Sequence, residues 1–140
     1  MKHKISIIPK QHKRIIQRSV NAALKIEGIT HPTLTAFALV SEAEIMQLNA
    51  SLRHINEVTD VLSFPDGEWE GKRQFLGDIA LCLSVIERQA AENQQSFEQE
   101  LQYMVVHSML HLLGYDHIDE AEDKQAMRAK EKEILRKLKR

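Results

Sequence analysis

Between Ser96 and His117 the chain spells out the start, the body and the end of one helix, and it sets three of its seven histidines on that helix or just past it. Ser96 followed by Gln99 is a capping box, in which each side chain answers a backbone N–H of the other. The long apolar run behind it predicts a helix that delivers His107 and His111, whose spacing of four puts both imidazoles on one face, one turn apart. Gly114 is the residue best able to take a left-handed conformation, end the helix and swing the chain back, which makes His117 a candidate third ligand. Three neutral imidazoles leave a fourth position open on a tetrahedral zinc, as in catalytic rather than structural sites. A lone histidine pair at this spacing would be ordinary surface or core; no packing or solubility requirement asks for the set of three.

The pattern is similar to the long zinc motif of metzincin proteases, H-E-x-x-H-x-x-G-x-x-H, with one departure. Ser108 stands where their general-base glutamate would be. Peptide hydrolysis by the usual route then has no proton acceptor.

At 140 residues and 43% hydrophobic, the chain has the size of one compact domain whose core can stand without disulfides. The single cysteine, Cys82, has no partner for an internal disulfide, nothing at the N-terminus resembles a secretion signal, and runs such as Thr35 to Val40 are too short to span a bilayer. The expectation is a soluble protein of a reducing compartment, the cytoplasm, without membrane association. The net charge of −1 hides a segregation: residues 1–25 carry +7 and residues 124–140 carry +6, against −14 between them. Two basic ends folded beside each other would meet a polyanion, since binding of phosphate by Lys and Arg dominates nucleic-acid affinity. The plainer alternative is two solvated helices with favourable charges at their C-terminal ends.

Along the chain the pattern is that of an α+β fold, a single domain over residues 1–140 with a small mixed sheet of about four strands and about five helices. Lys4 to Ile8 alternates as a short strand closed by Pro9. Ile15, Ile16, Val20, Ala23 and Leu24 recur at helical spacing between Lys10 and about Glu27, where Gly28 stops the helix. Leu34 to Val40 reads as a strand. Ser41 with Glu44 forms a further capping box for a helix through Leu52. Thr59 to Phe64 is a β-branched and aromatic strand ended by Pro65, Asp66 to Gln74 a turn-rich segment, and Gly77 to Leu83 another strand. Ser84 opens a helix to about Gln95. A last helix from about Glu120 to Lys139 turns Ala126, Met127, Ile134 and Leu138 toward the body.

The segment Asn49-x-x-x-Arg53, then Thr59-Asp60-Val61-Leu62-Ser63-Phe64-Pro65, then Gly77-Asp78-Ile79, then His107-Ser-x-Leu-His111-Leu-x-Gly114-Tyr-Asp-His117 resembles the YbeY family of endoribonucleases in order and spacing. The strong motifs span about residues 48 to 118. One position departs from the family pattern: Ser108 replaces its usual glycine, leaving open whether the hydroxyl touches a metal-bound water. The resemblance implies a zinc-dependent, single-strand-specific endoribonuclease of ribosomal RNA processing at the 16S 3′ end and of ribosome quality control. It implies one zinc per chain on His107, His111 and His117, an arginine central to activity at Arg53, and ribosomal RNA, the small subunit and ribosome-associated proteins as partners. A guanidinium suits a phosphodiester, because its planar donors bond two phosphate oxygens; a helix-end cation is the alternative role for Arg53. Asp60 and Asp78 are candidates to orient a ligand histidine or to satisfy backbone donors. Trp69 and Phe75 are candidates to stack on a base or to be partly buried against the core. Two functions of other classes compete, a non-catalytic ribosome assembly factor with a structural zinc and a metalloprotease-like hydrolase.

Overall fold

The computed structural model describes residues 8–53, 60–115 and 121–139, which form five helices and four strands. In order these are α1 (Lys10–Ile26), β1 (Thr33–Leu39), α2 (Glu42–Arg53), β2 (Val61–Pro65), β3 (Trp69–Glu70), β4 (Arg73–Leu81), α3 (Leu83–Glu92), α4 (Phe97–Leu112) and α5 (Ala121–Leu138). The α+β reading holds. Both capping boxes form: Glu44 N donates to Ser41 Oγ at 3.1 Å while Ser41 N donates to Glu44 Oε1 at 3.0 Å, and Ser96 and Gln99 repeat the exchange at 3.1 and 3.0 Å.

The sheet is mixed and β4 is its axis. β1 runs parallel to β4, β2 antiparallel on its other side, and β3 pairs antiparallel with the start of β4. Period-two alternation along β4 and on into Cys82 sends Ile79 and Leu81 to one face and Ala80 and Cys82 to the other. The first face packs with Val105, Val106, Met109 and Leu110 of α4, and with α1 and α5 behind; the second packs with Leu62, Ile45 of α2 and Val85 of α3. Helix α4 is buried over most of its circumference, so the histidines it carries hang on the most constrained element of the core.

Three expectations need correction and one falls outside the described residues. Most of the Lys4–Ile8 strand lies outside them. The turn-rich segment holds β3 and the start of β4, because Gly67 and Gly71, both at positive φ, fold it into a hairpin instead of leaving it open. Ser84 does not open α3, which starts one residue earlier behind Cys82; its hydroxyl donates to Glu42 Oε2 at 2.7 Å, beside Arg88, and ties α3 to α2. Ala126 is exposed. The inward stripe of α5 is Met127, Glu131, Ile134 and Leu138, with a carboxylate in the midst of apolar side chains.

Gly77 shows why a glycine stands in the Gly-Asp-Ile segment. Its φ is +144°, and a Cβ there would lie 2.3 Å from the Phe64 carbonyl oxygen and 3.0 Å from Leu112 at the end of α4. The residue lets the end of the histidine helix settle on the β2–β4 pair. Gly77→Ala should therefore cost roughly 3 kcal/mol or more in urea unfolding, through backbone clash and strain together. A decrease under about 1 kcal/mol would mean that the strand pair shifts freely.

Candidate metal centre

His107 and His111 project from consecutive turns of α4 with their Nε2 atoms 3.2 Å apart and their rings nearly perpendicular, at 79°. A tetrahedral zinc with nitrogen ligands at about 2.0–2.1 Å requires ligand pairs separated by about 3.3 Å. The two nitrogens thus stand at the spacing one ion needs. On the far side of His107, Nδ1 meets Glu131 Oε2 of α5 at 2.5 Å, and Glu131 is only 6% exposed. A carboxylate on Nδ1 makes that nitrogen the protonated one, which leaves the Nε2 lone pair for a metal; ligand histidines are commonly oriented in this way.

Tyr103, one turn before His107, lies with its ring centroid 5.8 Å from the imidazole. Burial pushes its phenol above the ordinary tyrosine range, and the nearby carboxylates of Glu131 and Glu100 push it further. It stays a neutral hydroxyl at physiological pH.

The end of α4 is the turn that the sequence describes. Gly114 adopts φ +107°. Its N–H donates to the His111 carbonyl at 3.1 Å and the Tyr115 N–H donates to the Leu110 carbonyl at 3.0 Å. This pair of bonds is a Schellman motif, closed by a glycine in the left-handed region. It ends α4 just after His111. His117 itself lies outside the described residues, and among those described no three acidic, histidine or cysteine side chains gather as a metal site.

Ser108 points into the core. It is 0% exposed, and its hydroxyl has no hydrogen-bond partner among the described residues. A side chain there is a packing element, not a group beside the exposed edges of the two imidazoles, so the place of a metzincin glutamate holds no base.

A family model described as endoribonuclease YbeY matches residues 1–139. The chain belongs to the YbeY endoribonuclease family. Among its relatives, the endoribonuclease YbeY of Finegoldia magna is 44% identical over 124 residues, covering 88% of this chain and 80% of the relative. That of Roseiflexus sp. is 38% identical over 131 residues, covering 89% and 82%. The solution structure of TM1509 from Thermotoga maritima superposes with a TM-score of 0.63 at 32% identity, over 93% of this chain and 83% of that one.

Against the YbeY motif, Arg53 is the last residue of α2, while its side chain and residues 54–59, Thr59 included, lie outside what the structure describes. Asp60 accepts the Cys82 N–H at 2.9 Å through its backbone oxygen, and Asp78 sits in the middle of β4 opposite Phe64. The carboxylate that meets His107 is neither of these. It is Glu131, which sequence reasoning passed over inside a lysine-rich helix. A signal existed: an acid four residues after Met127 and three before Ile134, on the apolar stripe. Trp69 is 56% exposed and lies against His31, with centroids 4.6 Å apart, so it is not buried in the core. Phe75 is half-buried. The two basic ends do pack together: Arg18 of α1 donates to the Leu138 carbonyl of α5 at 3.3 Å. No helix of the described residues is long and apolar enough to cross a membrane.

Proposed function

We propose that the chain is a zinc-dependent, single-strand-specific endoribonuclease of ribosomal RNA processing, acting at the 16S 3′ end and in ribosome quality control, in the cytoplasm. His107, His111 and His117 would hold one ion and Arg53 the scissile phosphate. The observation that carries this reading is the 3.2 Å approach of the His107 and His111 Nε2 atoms, with Glu131 on the opposite nitrogen of His107. A bound zinc supplies Lewis acidity toward a phosphoryl group and a nucleophile at neutral pH.

The protein's own part is to hold and to exclude. Glu131 accepts a hydrogen bond from Nδ1–H of His107 and fixes its ring. The Ser96–Gln99 cap and the Gly114 turn hold both ends of α4, so the imidazoles do not drift with fraying of the helix. Arg53, one of four basic residues between residues 26 and 123, offers paired planar donors to the phosphodiester and offsets charge that develops on it. The packed basic segments of α1 and α5 retain the polyanion near the site, with the small ribosomal subunit and its associated proteins as the setting.

A metalloprotease is disfavoured by the buried Ser108, since that route needs a carboxylate at this position. An assembly factor with structural zinc is disfavoured by the partly exposed edges of His107 and His111, because structural sites close all four positions with protein. Metal analysis of the purified protein, together with cleavage of a labelled ribosomal RNA fragment, tests the whole reading. Metal without cleavage would leave the assembly factor.

Arg53 allows a sharper test. Arg53→Ala should cut RNA cleavage by roughly 100-fold or more, the scale of a missing transition-state donor, while metal content and melting temperature stay near wild type. Arg53→Lys should recover part of the rate, since an ammonium lacks the paired donors. A poorly folded alanine variant would return Arg53 to the role of helix-end cation.

A further inference from the structure

Beside the histidines, α4 and α5 run antiparallel and leave a seam between them. At one end Glu131 touches His107; further along, Tyr103 of α4 and Leu135 of α5 line the same cavity, and at the far end Glu100 comes near Lys139. That cavity has a volume of about 360 Å³. Its floor is Glu100, only 2% exposed, with buried Gln102 next to it. Asn93 Nδ2 and Gln95 Nε2 both donate to Glu100 Oε1, at 3.2 and 3.4 Å. The other carboxylate oxygen, Oε2, is left to meet what enters. Tyr103 forms the wall between this cavity and His107, against which its ring lies.

The outer face of α5 adds a second, independent observation. Arg128, Lys132, Arg136 and Lys139 follow at steps of four, four and three, a spacing that puts all four on one stripe, and all four are exposed. On a helical wheel this stripe continues from Glu131 and Leu135, the α4 side of the helix. Lys130 lies on the other side, where it pairs with Glu27 of α1 at 3.8 Å and with Glu133 at 3.7 Å. The exposed cations of α5 are thus gathered along the seam that leads to the histidines.

We propose that this seam is the path of the single RNA strand, with phosphates along Arg128, Lys132, Arg136 and Lys139 and one base, a guanine, seated on Tyr103 over Glu100. The inference rests on the endoribonuclease reading and adds a base preference to it. A carboxylate oxygen can only accept. Guanine alone among the four bases presents two adjacent donors, N1–H and the N2 amine, without an acceptor between them on the pairing edge. Cytosine and adenine place a ring acceptor beside their amine, and uracil flanks its one N–H with two carbonyls. An aromatic wall takes the face of any base, so the selection comes from the floor. Seven residues of helix separate Glu100 from His107, about 10 Å along the axis, so the guanine would sit a short step along the strand from the cut.

The test uses Glu100→Gln, which keeps an acceptor for Asn93 and Gln95 and replaces the open oxygen by a donor. Cleavage of a randomised single-stranded RNA, mapped by sequencing, should show guanine enriched about tenfold at a constant offset from the cut in wild type. In Glu100→Gln that enrichment should vanish, with guanine-free substrates cut as before and the melting temperature unchanged. An unaltered base profile in the variant, or none in wild type, overturns the pocket. Binding of short labelled oligoribonucleotides by fluorescence anisotropy keeps this separate from catalysis. If wild type binds RNA but cuts none, the nuclease reading fails, and a guanine-dependent affinity that disappears in Glu100→Gln still supports the pocket. If guanosine monophosphate alone competes as well as a guanine-containing strand, the site belongs to a free nucleotide and the strand path is wrong. In the same assay Lys132→Gln with Arg136→Gln should reduce the slope of log affinity against log salt by roughly 0.7 for each phosphate no longer neutralised. A matched double variant on the β3–β4 hairpin, Lys72→Gln with Arg73→Gln, both exposed, should leave the slope in place; equal effects of the two pairs would reduce the stripe to general charge.

Discussion

His111→Ala should abolish metal retention and bring RNA cleavage down to background while the fold persists. The imidazole is half-buried, on a helix whose core-facing side chains are untouched, so a stability change within about 1 kcal/mol is expected. The expected loss of function is much larger than that. With one Nε2 of the 3.2 Å pair gone, the ion loses a ligand and the chelate geometry together. Elemental analysis, cleavage of a labelled fragment and a thermal melt on one preparation separate the possibilities. Full metal occupancy in His111→Ala would remove the basis of the site, and a collapsed melting temperature would make His111 a structural residue.

The second large effect is expected at Glu131. In Glu131→Ala the Nδ1 side of His107 loses the Glu131 carboxylate within a packed α4–α5 interface, and the imidazole is free to take the tautomer protonated on Nε2, which has no lone pair to offer on the side of His111. Metal affinity should fall by roughly 10- to 100-fold, the usual scale for removing a carboxylate behind a ligand histidine. Stability should fall by about 1–3 kcal/mol, the cost of a buried polar group left without its bond. Glu131→Gln retains an acceptor and should recover most of both. The decisive readout is independent of catalysis. In ¹⁵N NMR of the metal-free protein at about pH 8.5, above the ordinary histidine range, His107 should be protonated on Nδ1 in wild type and in the glutamine variant, and mainly on Nε2 in the alanine variant. The same tautomer in all three would show that Glu131 fills space and directs nothing.

How much of this was legible beforehand depends on the distance over which each feature is encoded. The start of α4 is written in Ser96 and Gln99, three residues apart, its facing imidazoles in a spacing of four, and its end in Gly114. Each of these is an exchange between backbone and neighbours within one or two turns, and each appears in the fold at its expected place. The same holds for the Ser41–Glu44 cap and the stop of α1 at Gly28, where φ is +72°. Ser84 misled because a serine before an apolar run is a good cap in isolation; a carboxylate on α2, 42 residues away, took its hydroxyl instead.

What the amino-acid order determined by itself was the set of local hydrogen bonds and periodicities, and with them the identity of two converging imidazoles and the family. What only the tertiary structure decided was who stands behind and beside them. Glu131 reaches His107 across 24 positions of sequence, and Arg18 reaches the Leu138 carbonyl across 120. Period 3.6 says that Glu131 belongs to the apolar stripe of α5, but not which helix that stripe will meet or in which register. That choice is made by the packing of α5 on α4 and α1 through Met127, Ile134 and Leu138, a fit of side-chain volumes that no short stretch of the chain contains.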